Sequence, residues 1–157
     1  MIVVSNTTPL IGLVSVQQFS LLRTLFSEIH IPQAVYNEAY LAGSVKYPIP
    51  AADWIKVASV KDRLAVEVLL DELDLGEAET IVLARELNED WVLMDERKGR
   101  RKLDQLGVKK VGTLGILLKA KQLGLLPTIK SSVEALHQQG FSLSQIVIDA
   151  VLEQAGE

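Results

Sequence analysis

Hydrophobic residues recur along this chain in two ways: short β-branched runs, and longer stretches where apolar positions return every three or four residues. Ile2–Ser5 is a run of the first kind and suits a strand buried on both faces. Thr7, Thr8 and Pro9 punctuate it, with Thr as a helix cap and Pro near the first helical position. Residues 10–28 read as helix, broken near Ser15, with Leu13, Val16, Phe19, Leu22, Leu25 and Phe26 on the buried side. A second strand covers 29–31. Pro32 opens another helix, where Val35, Ala39 and Ala42 keep helical spacing up to Gly43. Pro48 and Pro50 mark 44–52 as loop, and 54–60 alternates like a strand through Ile55 and Val57. Helical patterns follow at 65–72 and 75–87, the second with Ala78, Ile81, Val82 and Leu87 as its apolar face. A strand at 91–94, a helix at 97–106, a strand at 108–111 and a helix at 113–123 closed by Gly124 complete the alternation. Two more helical patterns, 128–138 and 142–155, fill the C-terminal part.

Strands alternating with helices predict an α/β fold with a central parallel sheet and right-handed crossovers. The division expected is a main domain over 1–127 and a helical extension over 128–157, packed on the same domain or on a dimer partner. Phe141, Leu143, Ile146, Val147, Ala150, Val151 and Leu152 give that extension more apolar character than one solvent-facing helix needs, which predicts a homodimer.

At 157 residues the chain fits one domain. The absence of cysteine excludes a disulfide scaffold, a thiol nucleophile and zinc sites built on thiolate. His30 and His137 are the two histidines, too few for a His-rich metal cluster. The start lacks a basic segment followed by a long apolar one, and no run of about 18 apolar residues occurs. The expectation is a soluble, cytoplasmic protein with no membrane partner.

Net charge is −4, which by itself disfavours an electrostatic nucleic-acid binder. Its distribution changes that picture. Lys61 to Glu96 carries twelve acids and three bases, whereas Arg97 to Lys121 carries nine bases and one acid, Asp104. Two solvated helix faces of opposite sign would give such a pattern. So would a cation-binding acidic centre beside a basic rim that receives a polyanion.

Open parallel sheets place their sites beyond the carboxyl ends of the strands. Asn6 follows the first strand there, and Asp95 and Glu96 follow 91–94. Glu38 and Glu77 sit on helices that could join them. Acids gathered at strand ends repel one another unless a cation neutralises them, and Mg²⁺ or Mn²⁺ is the hard cation suited to carboxylates. Each acid also has a plain structural reading. Asp74 and Glu77 have capping-box spacing, Asp95 and Glu96 could cap the helix at 97, and Glu38 could be an exposed helix residue. Glu79, two residues from Glu77, points another way on a regular helix. No Gly-rich dinucleotide fingerprint or Walker loop occurs, and no aromatic–basic alternation suggests a base-stacking platform.

The segments IVVSNTTPLIGL (2–13), IPQAVYNEA (31–39), LGEAETIVLA (75–84), VLMDERKGRR (92–101) and LGVKKVGTLGILLKAKQLGLLP (106–127) occur in that order. Together they resemble the PIN-domain family, and within it a VapC-like prokaryotic subgroup marked by a Gly-Glu-Ala-Glu helix start. The resemblance implies a three-layer α/β/α sandwich and Mg²⁺- or Mn²⁺-dependent cleavage of RNA, commonly as the toxin paired with an antitoxin protein. The family's acidic quartet falls on Asn6, Glu38, Glu77 and Asp95, its adjacent hydroxyl on Thr7, and a supporting Glu on Glu79. Arg97, Lys98, Arg100, Arg101 and Lys102 would form the RNA-facing rim. Asn stands where the family has Asp at the first position, so weakened metal binding is expected.

Overall fold

The computed structural model describes residues 2–42, 46–89 and 91–157. Among them a five-stranded parallel sheet has the order β3-β2-β1-β4-β5, formed by β1 (Ile2–Ser5), β2 (Glu28–Pro32), β3 (Ile55–Ala58), β4 (Trp91–Leu93) and β5 (Lys109–Val111). Successive strands are laid to one side of β1 and then to the other. The order therefore reverses between β1 and β4, and open α/β sheets bind ligands at such a reversal. Ser5 pairs with Leu93, and the Asn6 N–H donates to the Leu93 carbonyl at 3.0 Å. The chain segments leaving β1 and β4 thus emerge side by side.

Alternation along the central strands sorts the core into two layers. Val3 and Leu93 join one cluster with Leu10, Leu13, Leu22, Ile116 and Leu117, while Val4, Val92 and Met94 join another with Val66, Ile81, Leu83 and Leu103. The first layer draws on α1 (Thr7–Ser15), α2 (Leu21–Leu25) and α7 (Thr113–Gln122), and the second on α4 (Arg63–Leu69), α5 (Leu75–Glu86) and α6 (Arg97–Gln105). This is the α/β/α sandwich. Every residue of α5 from Gly76 to Ala84 is buried, because the helix lies against the sheet with α3 (Gln33–Tyr36), α4 and α6 packed around it. Leu87, expected on its apolar face, lies past the helix end and is 37% exposed.

Several boundaries differ from those the pattern predicts. The first helix starts at Thr7, with Asn6 in the cap position and Pro9 in the first turn. The chain then breaks at Gln17, whose φ is 62°, and Glu28 already belongs to β2. The helix after Pro32 is α-helical only to Tyr36 and widens into a π turn over Asn37–Leu41. Its expected stop at Gly43, and the first two loop residues, lie outside the described residues. The strand expected over 54–60 shortens to β3, and Val60 beyond it enters the second core layer.

The last two helices are α8 (Lys130–Gln138) and α9 (Gln145–Gln154), the latter capped by the Ser144 hydroxyl, which accepts from the Val147 N–H. Ile129, Val133, Leu136 and Ile148 are buried in the first core layer, and Phe141, Leu143, Val151 and Leu152 pack on it, whereas Ile146 is 82% exposed. The Glu157 carboxylate accepts from the N–H groups of Ile129 and Lys130 and pairs with Lys121 at 2.8 Å, tying the end of the chain to α7 and α8. Among the described residues no helix is long and apolar enough to cross a membrane.

Candidate active site

Asn6 is 5% exposed, and its side-chain amide donates to the Met94 sulfur at 3.3 Å. Met94 is fully buried, and a methyl group on Gly99 would come within 2.8 Å of that sulfur, so α6 approaches closely only because residue 99 is glycine. The neighbouring Thr7 hydroxyl donates to Glu38 at 2.6 Å. Glu38 stands on the π turn, a widened helical geometry that re-aims a side chain and that recurs at functional sites. Its carboxylate lies against the start of α5: a methyl group on Gly76 would sit 2.6 Å from one Glu38 oxygen. Gly76 therefore opens the space through which Glu38 reaches the positive end of a twelve-residue helix.

Glu77 closes the capping box. It accepts from the Asp74 N–H at 3.0 Å, while its own N–H donates to the Asp74 carboxylate at 2.8 Å. Glu77 is 5% exposed. Burial, reinforced by repulsion from Asp74 and Glu96 and opposed by the Asp74 N–H, pushes its carboxyl up from 4.5 to about 7. Glu79 faces away from this cluster. It accepts from the Ala34 N–H at 2.9 Å, at the start of α3, and pairs with Arg63 at 2.8 Å.

Asp95 accepts from the Thr113 N–H at 2.8 Å and from its hydroxyl at 2.6 Å, which holds the first turn of α7 to the end of β4. Burial raises its pKa, while the two Thr113 bonds and the nearby Arg100 act against that rise. Gly112 is needed here too, since a methyl group would come within 2.7 Å of the Asp95 carboxylate. Glu96 occupies the cap position of α6, is exposed, and makes no cap bond with its side chain.

The basic residues of α6 divide into two sets. Arg97, Lys98 and Arg101 are exposed, whereas Arg100 donates to the Met94 carbonyl at 2.8 Å and Lys102 pairs with Glu72 at 3.2 Å. One concave surface lies between α8 and α9, and another is lined by Ala58, Asp62, Leu83 and Glu86.

Asn6, Thr7, Glu38, Glu77, Asp95 and Glu96 thus come to one edge of the sheet, and Glu79 does not join them. Oxygen donors dominated by carboxylates are in kind what a hard divalent cation takes. In the arrangement seen, however, Asp95 is committed to Thr113 and Glu77 to Asp74, and no three His, Asp or Glu side chains converge as a metal-holding group among the described residues. Met94, Gly76 and Thr113 shape this edge, and strand-end logic did not single them out. The one local signal was Gly76 in the Gly-Glu-Ala-Glu helix start.

The topology accords with the family comparison. A model of the DUF3368 family, described as a PIN domain, matches residues 2–157. The chain belongs to this PIN-domain family, whose fold is generally that of a nuclease. No curated protein and no solved structure matches the chain.

Proposed function

We propose that the chain is a ribonuclease of VapC-like PIN type, dependent on Mg²⁺ or Mn²⁺ and weakened by the amide at position 6, and that it serves as the toxin of a toxin–antitoxin pair. The observation that carries this reading is the gathering of Asn6, Glu38 and Glu77 with the acids after β4 at the sheet reversal. These residues would hold the ion, which when bound polarises a phosphodiester and ionises a water. Thr7 orients Glu38 through its 2.6 Å bond. Glu77, with its pKa near neutrality, is suited to taking up or releasing a proton at the working pH. Arg97, Lys98 and Arg101 present positive charge beside the acids and would receive phosphates.

Two observations favour a second reading, a catalytically impaired RNA-binding or regulatory module. The Asn6 side-chain nitrogen is held by a sulfur, and each Asp95 oxygen already accepts a hydrogen bond from Thr113. Incubating the purified chain with structured RNA in Mn²⁺ or in EDTA separates the two. The ribonuclease reading expects slow cleavage that EDTA abolishes and that Glu38→Gln and Glu77→Gln reduce at least ~100-fold with the fold intact. RNA binding without cleavage under any metal condition would leave the second reading standing.

A further inference from the structure

We propose that Glu79 is a positioning residue: from α5 it caps the start of α3 and so fixes where Glu38 stands, with Arg63 as its counter-charge. Its effect on cleavage rests on the ribonuclease reading above. The cap position before α3 is Pro32, whose side chain has no acceptor and makes no cap bond. A cap residue ordinarily offers an oxygen to the second or third N–H of its helix. The second N–H of α3, on Ala34, donates instead to Glu79 at 2.9 Å, forty-five residues further along the chain. Glu79 is 4% exposed, and its other oxygen pairs with the half-exposed Arg63 at 2.8 Å. A carboxylate is costly to bury, and here a helix-start donor and a guanidinium offset that cost together.

The same face of α5 meets the same helical segment a second time. Gly76 and Glu79 are three residues apart on α5, while Ala34 and Glu38 are four apart on α3 and the π turn that continues it. Ala34 meets Glu79, and Glu38 lies over Gly76, where an added methyl would come within 2.6 Å of its carboxylate. The two segments therefore pass antiparallel with two points in register. Gly76 sets how closely Glu38 approaches α5. The Ala34–Glu79 bond sets where the segment stands along it. From that place Glu38 receives the Thr7 hydroxyl at 2.6 Å. Without an acceptor at residue 79, the buried Ala34 N–H has no reason to hold this register.

Amide hydrogen exchange of the full chain, read by mass spectrometry, tests the positioning, and cleavage of a structured RNA in Mn²⁺ tests its consequence. Glu79→Ala should speed exchange over residues 33–41 about tenfold and leave 130–154 unchanged. Its kcat should fall about tenfold or more with KM for RNA unchanged, because the exposed cations of α6 are untouched. Glu79→Gln keeps an acceptor for the Ala34 N–H and should bring both quantities back to within about threefold of wild type. Should Glu79→Ala fail to fold, Glu79→Leu fills the space without an acceptor and serves the same comparison. Wild-type exchange over 33–41 in the Ala or Leu variant overturns the proposal. So does an equal acceleration over 130–154, which marks a general loss of stability, and so does a Gln variant no better than the Ala one. A wild-type chain that cleaves no RNA overturns the ribonuclease reading alone, and the exchange comparison then decides the role of Glu79.

Discussion

The side-chain amide of Asn6 donates to the sulfur of Met94 at 3.3 Å, in a place where both residues are buried. A thioether accepts hydrogen bonds and donates none, so it matches an amide and opposes a carboxylate. The pocket around position 6 is therefore fitted to Asn. Asn6→Asp should lose this bond, bury a charge and add repulsion toward Glu38 and Glu77, at a cost of about 1–3 kcal/mol in EDTA. Urea unfolding of the two proteins in EDTA measures it. Equal stabilities would mean that the sulfur contact contributes nothing and that residue 6 is open to solvent.

Glu77 predicts a pH dependence whose sign follows from its raised pKa. Between 4.5 and about 7 the folded chain holds a proton that the unfolded chain has released. The Glu77 contribution to stability is thus present in full below 4.5, declines as pH rises, and is lost above about 7. Asp95, also raised, acts in the same direction. Urea midpoints across this range in EDTA should fall more steeply for wild type than for Glu77→Gln. Parallel profiles would show that Glu77 titrates as an ordinary exposed acid.

Gly76 separates helix propensity from site geometry. Alanine is the better helix former by about 1 kcal/mol, so a position with free space would gain stability. Here the added methyl meets the Glu38 carboxylate at 2.6 Å. Gly76→Ala should therefore gain little or no stability, and it should displace Glu38 from Thr7, weakening Mn²⁺ binding severalfold. A clear rise in melting temperature with unchanged Mn²⁺ affinity would contradict this account of the Gly-Glu-Ala-Glu start.

Much of this architecture was legible because strand and helix periodicities differ and because parallel sheets expose their carboxyl ends. The run Ile2–Ser5 announced a central strand, and the polar residue after it marked the sheet edge proposed here as the site. The Asp74–Glu77 box was readable because capping is a local, three-residue relationship. Helical spacing likewise foretold that Glu79 would diverge from Glu77, as its bonds to Ala34 and Arg63 show. What escaped the sequence depends on distant partners. Thr113 meets Asp95 from eighteen residues away, and Met94 meets Asn6 across eighty-eight. The π turn that carries Glu38 packs on α1, and nothing in the composition of Asn37–Leu41 marks it in advance.

The exposed part of the α6 basic set predicts a salt response. Replacing Arg97, Lys98 and Arg101 by Gln should weaken RNA binding and flatten its dependence on salt by about two in the log–log slope, at ~0.7 per phosphate contact on a single strand. Arg100→Gln should instead act on stability, because Arg100 supports the Met94 carbonyl. Fluorescence anisotropy over a salt series reads the slope, and an unchanged slope in the triple variant would make the rim a solvated face.

Metal affinity of the wild-type chain against that of Asn6→Asp tests the central claim most directly. Adding a full negative charge near a divalent ion, less the cost of burying it and of repulsion among the acids, should tighten Mn²⁺ binding about 5- to 150-fold. Calorimetric titration at neutral pH is the measurement, paired with cleavage of a structured RNA. The account predicts tighter binding and faster cleavage in Asn6→Asp, accompanied by proton release as Glu77 ionises against the cation. Unchanged affinity and unchanged cleavage in a folded Asn6→Asp protein would place position 6 outside any metal site and contradict it.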